Sequence, residues 1–226
     1  MKNISRRFEI QKFKLGSRKV IVIYEKSLEE AVPFIKEGMQ KSSRLLKTDN
    51  DIIINVSLTK DNFVRNEMSG VAGFTPNSYT MFINIYPKSD WRKVIIGTVA
   101  HEFNHTVRFQ NISHWKGMTL LEDLAMEGSA QCFEEDAAGI VRPWSVALTE
   151  NQAKRSWMKL KDRLNVESKD LHDRVFLKKN DREFSHWAGY AISYLVVKKK
   201  LNELGKTDWN SIIKMKPEAL IGEGLS

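Results

Sequence analysis

The sequence contains a single cysteine, Cys132, and no apolar run long enough to span a bilayer. One thiol cannot form an internal disulfide, which excludes the disulfide-stapled secreted scaffolds and favours a cytoplasmic location. A membrane-spanning helix needs about 18 or more predominantly apolar residues in succession, so we expect no membrane span. The first 16 residues are basic but contain no apolar h-region, and we therefore expect no signal peptide.

Internal repeats and low-complexity linkers are also absent. A length of 226 residues suits one domain with a substantial core, so we expect a single domain over residues 1–226. The net charge of +8 is compatible with nucleic acid, an anionic membrane surface or an acidic protein substrate. No helix-turn-helix, RNP or zinc-finger spacing accompanies basic clusters such as residues 198–200, so nucleic-acid binding is the weaker interpretation.

The apolar patterns predict strands in the first part of the chain and helices in the rest. Predicted strands cover residues 19–24, 51–57 and 79–86, and an amphipathic helix with Ser27 as its N-cap covers residues 28–47. A segment rich in Gly, Pro and Asn at residues 69–77 predicts a loop. The order is therefore a small N-terminal sheet within residues 1–90 and a mainly helical part over residues 91–226, which is an α+β fold.

The most specific pattern is His101-Glu102-Phe103-Asn104-His105, an H-E-x-x-H motif inside a segment that predicts a helix over residues 91–109. Residues four apart on a helix share one face, so both imidazoles can reach a single metal ion. Glu102 then stands where it can act as general base toward a water that the metal activates. This combination is typical of zinc-dependent peptidases.

The rest of this helix supports a metal role for the two histidines. At about 100° per residue, Ile95, Val99 and Phe103 fall on the side opposite His101 and His105. The apolar face therefore points toward a core and the histidines look into a different space. A structural histidine would more naturally sit singly among the apolar residues.

A catalytic zinc site needs three protein ligands and one open position, so a third ligand is expected nearby. The candidates on a second helix are Glu122, Asp123, Glu127 and Glu134, and His114 lies in the intervening loop. We predict Glu127, because the small residues 128–130 beside it would let this helix press against the metal-bearing one. Glu122 projects away from the face that carries Glu127. The ordinary alternative is a solvated acidic helix face.

A third pattern supplies candidates for stabilising the tetrahedral oxyanion through which peptide hydrolysis passes. His186, Tyr190 and Tyr194 recur every four residues and so share one face of a C-terminal helix. A tyrosine hydroxyl or histidine N–H can stabilise the oxyanion, and we place Tyr190 first and His186 second. The alternative is an aromatic stripe that only packs in the core.

Four further polar residues receive supporting or structural interpretations. Asp123 and Gln131, one turn either side of Glu127, could each hold a ligand histidine by its second ring nitrogen. His172 lies in a charged stretch and is interpreted as a surface residue. Cys132 is interpreted as a thiol buried in the core rather than a nucleophile.

Three segments in this order resemble the YjaZ-like family of predicted bacterial zinc-dependent proteases. They are Ala-His-Glu-x-x-His at residues 100–105, Leu-Leu-Glu-Asp-Leu-Ala-Met-Glu-Gly-Ser-Ala at residues 120–130 and Gly-Tyr-Ala-Ile-Ser-Tyr at residues 189–194. The resemblance, which runs from about Val71 to the C-terminus, implies a zincin-like body and a gluzincin-like site. It implies His101, His105 and Glu127 as ligands and Glu102 as catalytic base. Ser193 departs from the family pattern, which has a second glycine there, and this concerns local helix packing.

The sequence thus predicts a peptidase with a Zn²⁺ cofactor and a peptide or protein substrate. The alternatives are a non-catalytic zinc-binding regulatory protein, against which the intact Glu102 argues, and a basic nucleic-acid-binding protein. The strand predicted at residues 79–86 is a candidate edge on which an extended substrate could pair through its backbone. That hypothesis requires one side of the strand to be unpaired.

Overall fold

The computed structural model describes residues 7–112, 118–205 and 208–225. The chain divides into two compact units, one formed by Met1–Asn111 with Asp136–Ile140 and the other by Ile112–Glu135 with Val141–Ser226. Each unit is described by itself. The single domain predicted over residues 1–226 stays a prediction.

The first unit contains all the described strands and three helices. In chain order these are β1 (Phe8–Leu15), β2 (Arg18–Glu25), α1 (Val32–Leu45), β3 (Ile52–Leu58), α2 (Asn62–Glu67), β4 (Val71–Asn77), β5 (Thr80–Ile85) and α3 (Ile95–Asn111). Single 3-10 segments, Lys26–Ala31 and Trp91–Lys93, precede α1 and α3.

Within the described residues the strands form one mixed sheet in the order β1-β2-β3-β5-β4. The β1–β2 and β4–β5 pairs are antiparallel, and β2–β3 and β3–β5 are parallel. Strand β5 is therefore paired on both sides and β4 forms an edge. The hypothesis that the strand at residues 79–86 offers a free edge is wrong, because β3 and β4 occupy its two sides.

Strand β4 also replaces the loop predicted at residues 69–77. Glycine and proline lower the strand tendency of a segment, but an edge strand tolerates them because only one of its sides supplies ladder hydrogen bonds. The pairing with β5 is irregular between Phe74 and Asn77, on either side of Pro76. Composition therefore indicated a loop where the sheet stabilises a strand.

The sequence patterns also missed β1 and misplaced the start of the first helix. Ile10 on β1 is 59% exposed, so this edge strand lacks the strong apolar signal of its neighbour β2. The predicted helix over residues 28–47 is interrupted, because Leu28 has non-helical φ and ψ angles of −109° and 16°. The 3-10 segment already begins at Lys26, so Ser27 does not serve as the predicted N-cap. Helix α1 begins at Val32 with a proline in its first turn, where no N–H donor is needed.

One face of the sheet supplies the core of the first unit. Alternate residues of the inner strands, including Ile54, Val56 and Ile83, are fully or almost fully buried. Helix α3 packs on α1 and on strands β4 and β5. A Cβ at Gly38 of α1 would lie 2.9 Å from Val99 of α3, so these two helices cross with little space between their backbones. This packing fixes the apolar face of α3 against the sheet layer.

The second unit is helical. Its helices are α4 (Leu120–Ala138, whose last turn returns to the first unit), α5 (Glu150–Leu160), α6 (Lys169–Phe176), α7 (Ala188–Leu204), α8 (Trp209–Ile212) and α9 (Pro217–Ile221), with short 3-10 segments at Pro143–Val146 and Lys161–Arg163. The α+β class predicted from the sequence is confirmed. None of the helices in the described ranges combines the length and apolar character needed to cross a bilayer.

Helices α4 and α7 approach closely at Gly128. A Cβ at that position would overlap the backbone carbonyl of Ser193 and lie 2.6 Å from Val197. Gly128 therefore permits close helix packing, as expected, and the helix that packs against it at this position is α7. The hydroxyl of Ser193, at the position where the resemblance implied a second glycine, donates to the Tyr190 carbonyl at 3.0 Å. This local hydrogen bond accommodates the extra atom.

A network of charges fixes the segment that leads into α7. The Arg174 guanidinium donates to the Asp181 carboxylate at 2.9 Å, and the backbone N–H groups of Glu183 and Phe184 donate to its other oxygen. The Arg174 side chain and these N–H groups hold the pKa of Asp181 far below its usual range. The ionised carboxylate therefore stabilises this turn.

We expect Asp181→Asn to lower the melting temperature at neutral pH. A carboxyl group whose pKa is depressed by folding stabilises the protein at pH values above its unfolded pKa of about 3.9. That contribution is lost as the pH falls through the lower folded pKa. Thermal unfolding of both proteins at pH 7 and pH 3 should therefore show a difference that shrinks in acid. A difference that is independent of pH would contradict the assigned charge interaction.

Candidate active site

Helix α3 brings the two motif histidines together on one face. The ring centroids of His101 and His105 are 4.6 Å apart with the planes nearly perpendicular, at 86°. Ligand atoms of His101, Glu102 and His105 all lie within 4.8 Å of one another. Val99 and Phe103, on the opposite side of the helix, are fully buried. The helix period thus places the donor atoms as the sequence predicted.

The carboxylate of Glu102 is buried and held by a neighbouring strand. The hydroxyl of Thr75 on β4 donates to Glu102 Oε2 at 2.7 Å. The hydroxyl of Thr106 donates to the Glu102 backbone carbonyl at 2.8 Å, one turn along α3. Thr75 was not among the sequence candidates, because it lies 27 residues before Glu102 in a segment interpreted as a loop.

Gly73 of β4 makes room for this carboxylate. A Cβ at Gly73 would overlap Oε1, Cγ and Cδ of Glu102. Gly73 pairs with the buried Ile83 of β5, so its missing side chain would have pointed toward α3. The composition of residues 69–77 predicts a loop and so hides this constraint. An isolated glycine between strand-forming residues is the signal for close approach.

We expect Gly73→Ala to displace the Glu102 carboxylate and lower peptidase activity by at least about tenfold, because a small misplacement of a catalytic group can cost about a hundredfold. Zinc content should stay close to wild type, because the three atoms nearest to a Cβ at Gly73 all belong to Glu102 and none to a histidine. Steady-state kinetics and metal analysis would measure both. Ala72→Ser is the control, because its side chain lies on the opposite face of β4; equal losses in the two variants would contradict the steric explanation.

These donors suit zinc. Imidazole nitrogen and carboxylate oxygen are common zinc ligands, and a single ion about 2.0–2.2 Å from each donor atom requires donors only a few ångströms apart. The ligand atoms of this group lie within 4.8 Å of one another, a separation comparable to the roughly 4.4 Å that two zinc bonds of about 2.2 Å span. The two imidazoles on one helical face therefore supply two of the four positions of a tetrahedral zinc site.

Glu127, the predicted third ligand, lies on α4 in the second unit and is half-buried. Its ligand role stays a prediction. Two of the alternative carboxylates contact other groups. Glu122 accepts hydrogen bonds from the Thr119 backbone N–H at 2.7 Å and from the Thr119 hydroxyl at 3.0 Å. Glu134 forms a buried ion pair with Arg142. His114 lies outside the described residues.

The residues proposed to orient a ligand histidine contact other groups. The Gln131 side-chain amide donates to the Tyr190 carbonyl and the Ser193 hydroxyl, each at 3.1 Å. Its amide oxygen accepts from Ser145 at 2.5 Å. Gln131 therefore connects α4, α7 and the 3-10 segment at residues 143–146. Cys132 is buried, as predicted, with its sulfur 3.8 Å from the Tyr194 carbonyl.

The aromatic candidates lie around the start of α7. The Tyr190 ring packs edge-on against Phe176 at 5.0 Å and against Trp187 at 5.5 Å. The His186 ring stacks on Trp187 at 4.1 Å. Trp187 has a positive φ of 65°, a strained conformation for a bulky residue, immediately before the helix. The oxyanion roles of Tyr190 and His186 stay predictions.

The hydroxyl of Tyr194 donates to the Glu135 carboxylate at 2.8 Å. Lys198 donates to the same oxygen at 2.6 Å. Burial raises the pKa of Glu135, but hydrogen bonds from Lys198 and Tyr194 outweigh it and the net pKa shift is downward. Tyr194 therefore contributes to a charged contact between α4 and α7.

His172, interpreted as a surface residue, keeps 34% of its side-chain area exposed and also pairs with a residue of another helix. Its Nδ1 lies 2.8 Å from the Asp123 carboxylate. Burial lowers the pKa of His172, but the hydrogen bond to Asp123 and the nearby negative charges outweigh burial, so the net pKa shift is upward. Burial raises the pKa of Asp123, and the charges of Glu127 and Glu122 act in the same direction. The sequence contained no local signal for this pair, because its members are 49 residues apart.

The motif and its surroundings indicate a class of protein. The H-E-x-x-H motif lies on a helix that packs on the sheet, with Glu102 buried against β4, and this motif on a helix is typical of zinc-dependent peptidases. The chain belongs to the family described as "Predicted Zn-dependent protease (DUF2268)", whose profile matches residues 32–222. This confirms the family resemblance seen in the sequence.

Two individual proteins extend the comparison. The chain is 29% identical over 150 residues to the uncharacterized protein YjfC of Bacillus subtilis (strain 168), with 59% of this chain and 46% of YjfC covered. Its fold is similar to the crystal structure of an aminopeptidase N family protein from Idiomarina loihiensis, with a TM-score of 0.55 and 10% sequence identity. That likeness covers 96% of this chain and 41% of the aminopeptidase chain. The chain thus spans less than half the length of either protein.

Proposed function

We propose that this chain is a zinc-dependent peptidase in which His101, His105 and Glu127 hold the metal and Glu102 is the general base. The observation that carries the proposal is the geometry of Glu102. Its carboxylate is buried beside two imidazoles on one helical face and accepts a hydrogen bond from Thr75. A protein that only stored or sensed zinc would have no need for a carboxylate held in this position.

Zinc would be held by the two imidazoles of α3 and the carboxylate of Glu127, which is a ligand set typical of catalytic zinc. When bound, zinc would lower the pKa of its bound water to about 7 and polarise the scissile carbonyl. Two histidines and one carboxylate leave a position open for substrate, whereas structural zinc sites are closed by four protein ligands.

Glu102 supplies proton transfer. It accepts a proton from the attacking water as a general base and then delivers that proton to the departing amine as a general acid. The Thr75 hydroxyl restricts the rotation of the carboxylate, and Gly73 lets the β4 backbone lie directly against it. Because both contacts come from β4, the base is positioned by the sheet as well as by its own helix.

Strand β4 is the proposed binding edge for the substrate. An extended peptide can add to an exposed sheet edge through main-chain hydrogen bonds, which gives affinity with little dependence on sequence. Since the Glu102 carboxylate lies against Gly73, a peptide paired along β4 would pass close to the proposed base. This replaces the strand at residues 79–86 as the substrate edge.

Tyr190 is the first candidate for stabilising the oxyanion that forms as water adds to the carbonyl, and His186 is the second. Loss of one oxyanion donor typically lowers kcat by about a hundred- to a thousandfold. The contacts of Phe176 and Trp187 with the Tyr190 ring favour a fixed ring orientation.

The cytoplasmic location that a single cysteine indicates is part of the same proposal.

The test is incubation of the purified protein with unstructured casein, with and without a zinc chelator. We expect cleavage that the chelator abolishes and that added zinc restores. Cleavage unaffected by the chelator would contradict the metal mechanism. Stoichiometric zinc without cleavage of casein or a peptide library would favour the zinc-binding regulatory alternative.

A further inference from the structure

The Asp123–His172 pair is the strongest polar feature of the second unit without a role in the proposed mechanism. The His172 imidazole is partly exposed: 34% of its side-chain area is accessible to solvent, compared with 11% for Asp123. Asp123 binds Nδ1, so the second ring nitrogen is the one left for another molecule. A carboxylate that fixes one imidazole nitrogen and leaves the other accessible is a common way to orient a catalytic histidine.

The pair is close to the proposed third ligand. Asp123 and Glu127 are four residues apart on α4, so their side chains share one helical face. The negative charge of Glu127 acts on both members of the pair, raising the pKa of each. His172 lies on a different helix, α6, but it is close enough to Glu127 for that negative charge to raise the pKa of its imidazole.

The pair also shares its support with the first oxyanion candidate. The His172 ring stacks on Phe176 with centroids 4.8 Å apart, and the Tyr190 ring contacts the same phenyl ring at 5.0 Å. Gly189 permits this arrangement, because a Cβ there would lie 2.7 Å from the Phe176 ring. Gly189, in the first turn of α7, thus lets the Phe176 ring lie close to the helix backbone, where the rings of Tyr190 and His172 both contact it.

We propose that His172 is a catalytic residue, whose Nε2–H donates a hydrogen bond to the oxyanion of the scissile carbonyl, and that Asp123 is its positioning residue. The proposal rests on the peptidase function proposed above. Asp123 keeps Nδ1 protonated and favours the imidazolium form, in which both ring nitrogens are donors. The charged groups that act on His172 are Asp123 and Glu127 of α4 and Asp173 of α6.

Two substitutions separate the two ring nitrogens. The amide nitrogen of His172→Asn can occupy the Nδ1 position and keep the bond to Asp123, but it leaves nothing at Nε2. The amide nitrogen of His172→Gln reaches the Nε2 position but gives up the contact with Asp123. We expect His172→Asn to lower kcat by about a hundredfold or more, with KM, zinc content and melting temperature close to wild type. His172→Gln should recover part of this loss.

The positioning role of Asp123 has its own readout. Asp123→Asn should lower kcat and shift the alkaline limb of the kcat–pH profile to lower pH, because the neutral amide no longer favours the imidazolium. Asp173→Asn is the matched control: it removes a negative charge beside His172, from a side chain that pairs with Lys169 rather than with the imidazole. Its kcat should remain within about twofold of wild type, as for an exposed ion pair. Its alkaline limb should move less than that of Asp123→Asn, because Asp173 acts on the imidazole through its charge alone.

A binding measurement complements the kinetics. A phosphinic pseudopeptide carries a tetrahedral anion, whereas acetohydroxamate chelates zinc without one. By calorimetry, His172→Asn should bind the phosphinic compound at least about tenfold more weakly and acetohydroxamate with unchanged affinity. If wild type and His172→Asn bound the phosphinic compound equally tightly, the catalytic role of His172 would be overturned. Full activity of His172→Asn together with a loss of stability in His172→Gln would also overturn it and make the pair a structural contact. A wild-type protein that binds zinc but cleaves no peptide overturns both proposals, whereas an active wild type with an active Asn variant overturns only this one.

Discussion

Glu102→Gln is expected to abolish peptide hydrolysis while zinc remains bound. The amide has nearly the same shape as the carboxylate and can still accept the hydrogen bond from Thr75, so the local structure should persist. It cannot accept a proton from water. General-base catalysis contributes about a hundred- to ten-thousandfold, so kcat should fall by at least two orders of magnitude. Casein cleavage and metal analysis on the same preparation would measure both properties.

The control for this substitution is Glu37→Gln, which makes the same chemical change on the exposed side of α1. Glu37 pairs with Lys41 one turn along its helix, a contact of small energetic consequence. Activity equal to wild type is expected there. If Glu102→Gln retained wild-type hydrolysis, the assigned base would be wrong even if the zinc ligands were right.

Glu127→Gln is expected to lower zinc affinity by more than about a hundredfold. Substitution of residues that merely orient ligands typically costs about ten- to a hundredfold in affinity, and removal of a direct carboxylate ligand should exceed that. The protein should remain folded, because Glu127 is half-buried and the glutamine amide has nearly the same shape as the carboxylate it replaces. Competition with a chromophoric chelator would give the affinity, and thermal unfolding of the zinc-free protein would test the fold.

Glu122→Gln is the matched control on the same helix. Its carboxylate accepts hydrogen bonds from Thr119 at the start of α4, so we expect a small loss of stability and unchanged zinc affinity. A loss of zinc in Glu122→Gln but not in Glu127→Gln would reassign the third ligand. Glu134→Gln would be less informative, because breaking its buried pair with Arg142 is expected to cost about 3–5 kcal/mol of folding free energy.

The elements that the sequence predicted well are those with a strong local period. The H-E-x-x-H segment alternates apolar and polar residues at helical spacing, and α3 is the helix that this spacing predicts. Strands β2 and β3 contain the apolar runs at residues 20–23 and 52–54 and lie inside the sheet. Their side chains determine their conformation with little help from distant residues.

The elements that the sequence missed depend on their neighbours. Strand β4 contains Gly73 and Pro76, so composition alone indicated a loop, and only pairing with β5 makes it a strand. The helix start near Ser27 was misplaced because a 3-10 segment precedes α1. The pairing of His172 was missed because its charged sequence neighbours gave no hint of Asp123, which approaches it from another helix.

The sequence by itself determined which atoms are available for chemistry and how His101, Glu102 and His105 are spaced, because the helical repeat is a local property of the chain. The family assignment also followed from the order of three short motifs. Only the tertiary structure decided that Thr75 and Gly73 enclose the proposed base, that β4 rather than β5 is the free edge, and that Asp123 holds His172. Those contacts join residues far apart in the chain, and their formation depends on how helices and strands pack, which no local pattern specifies.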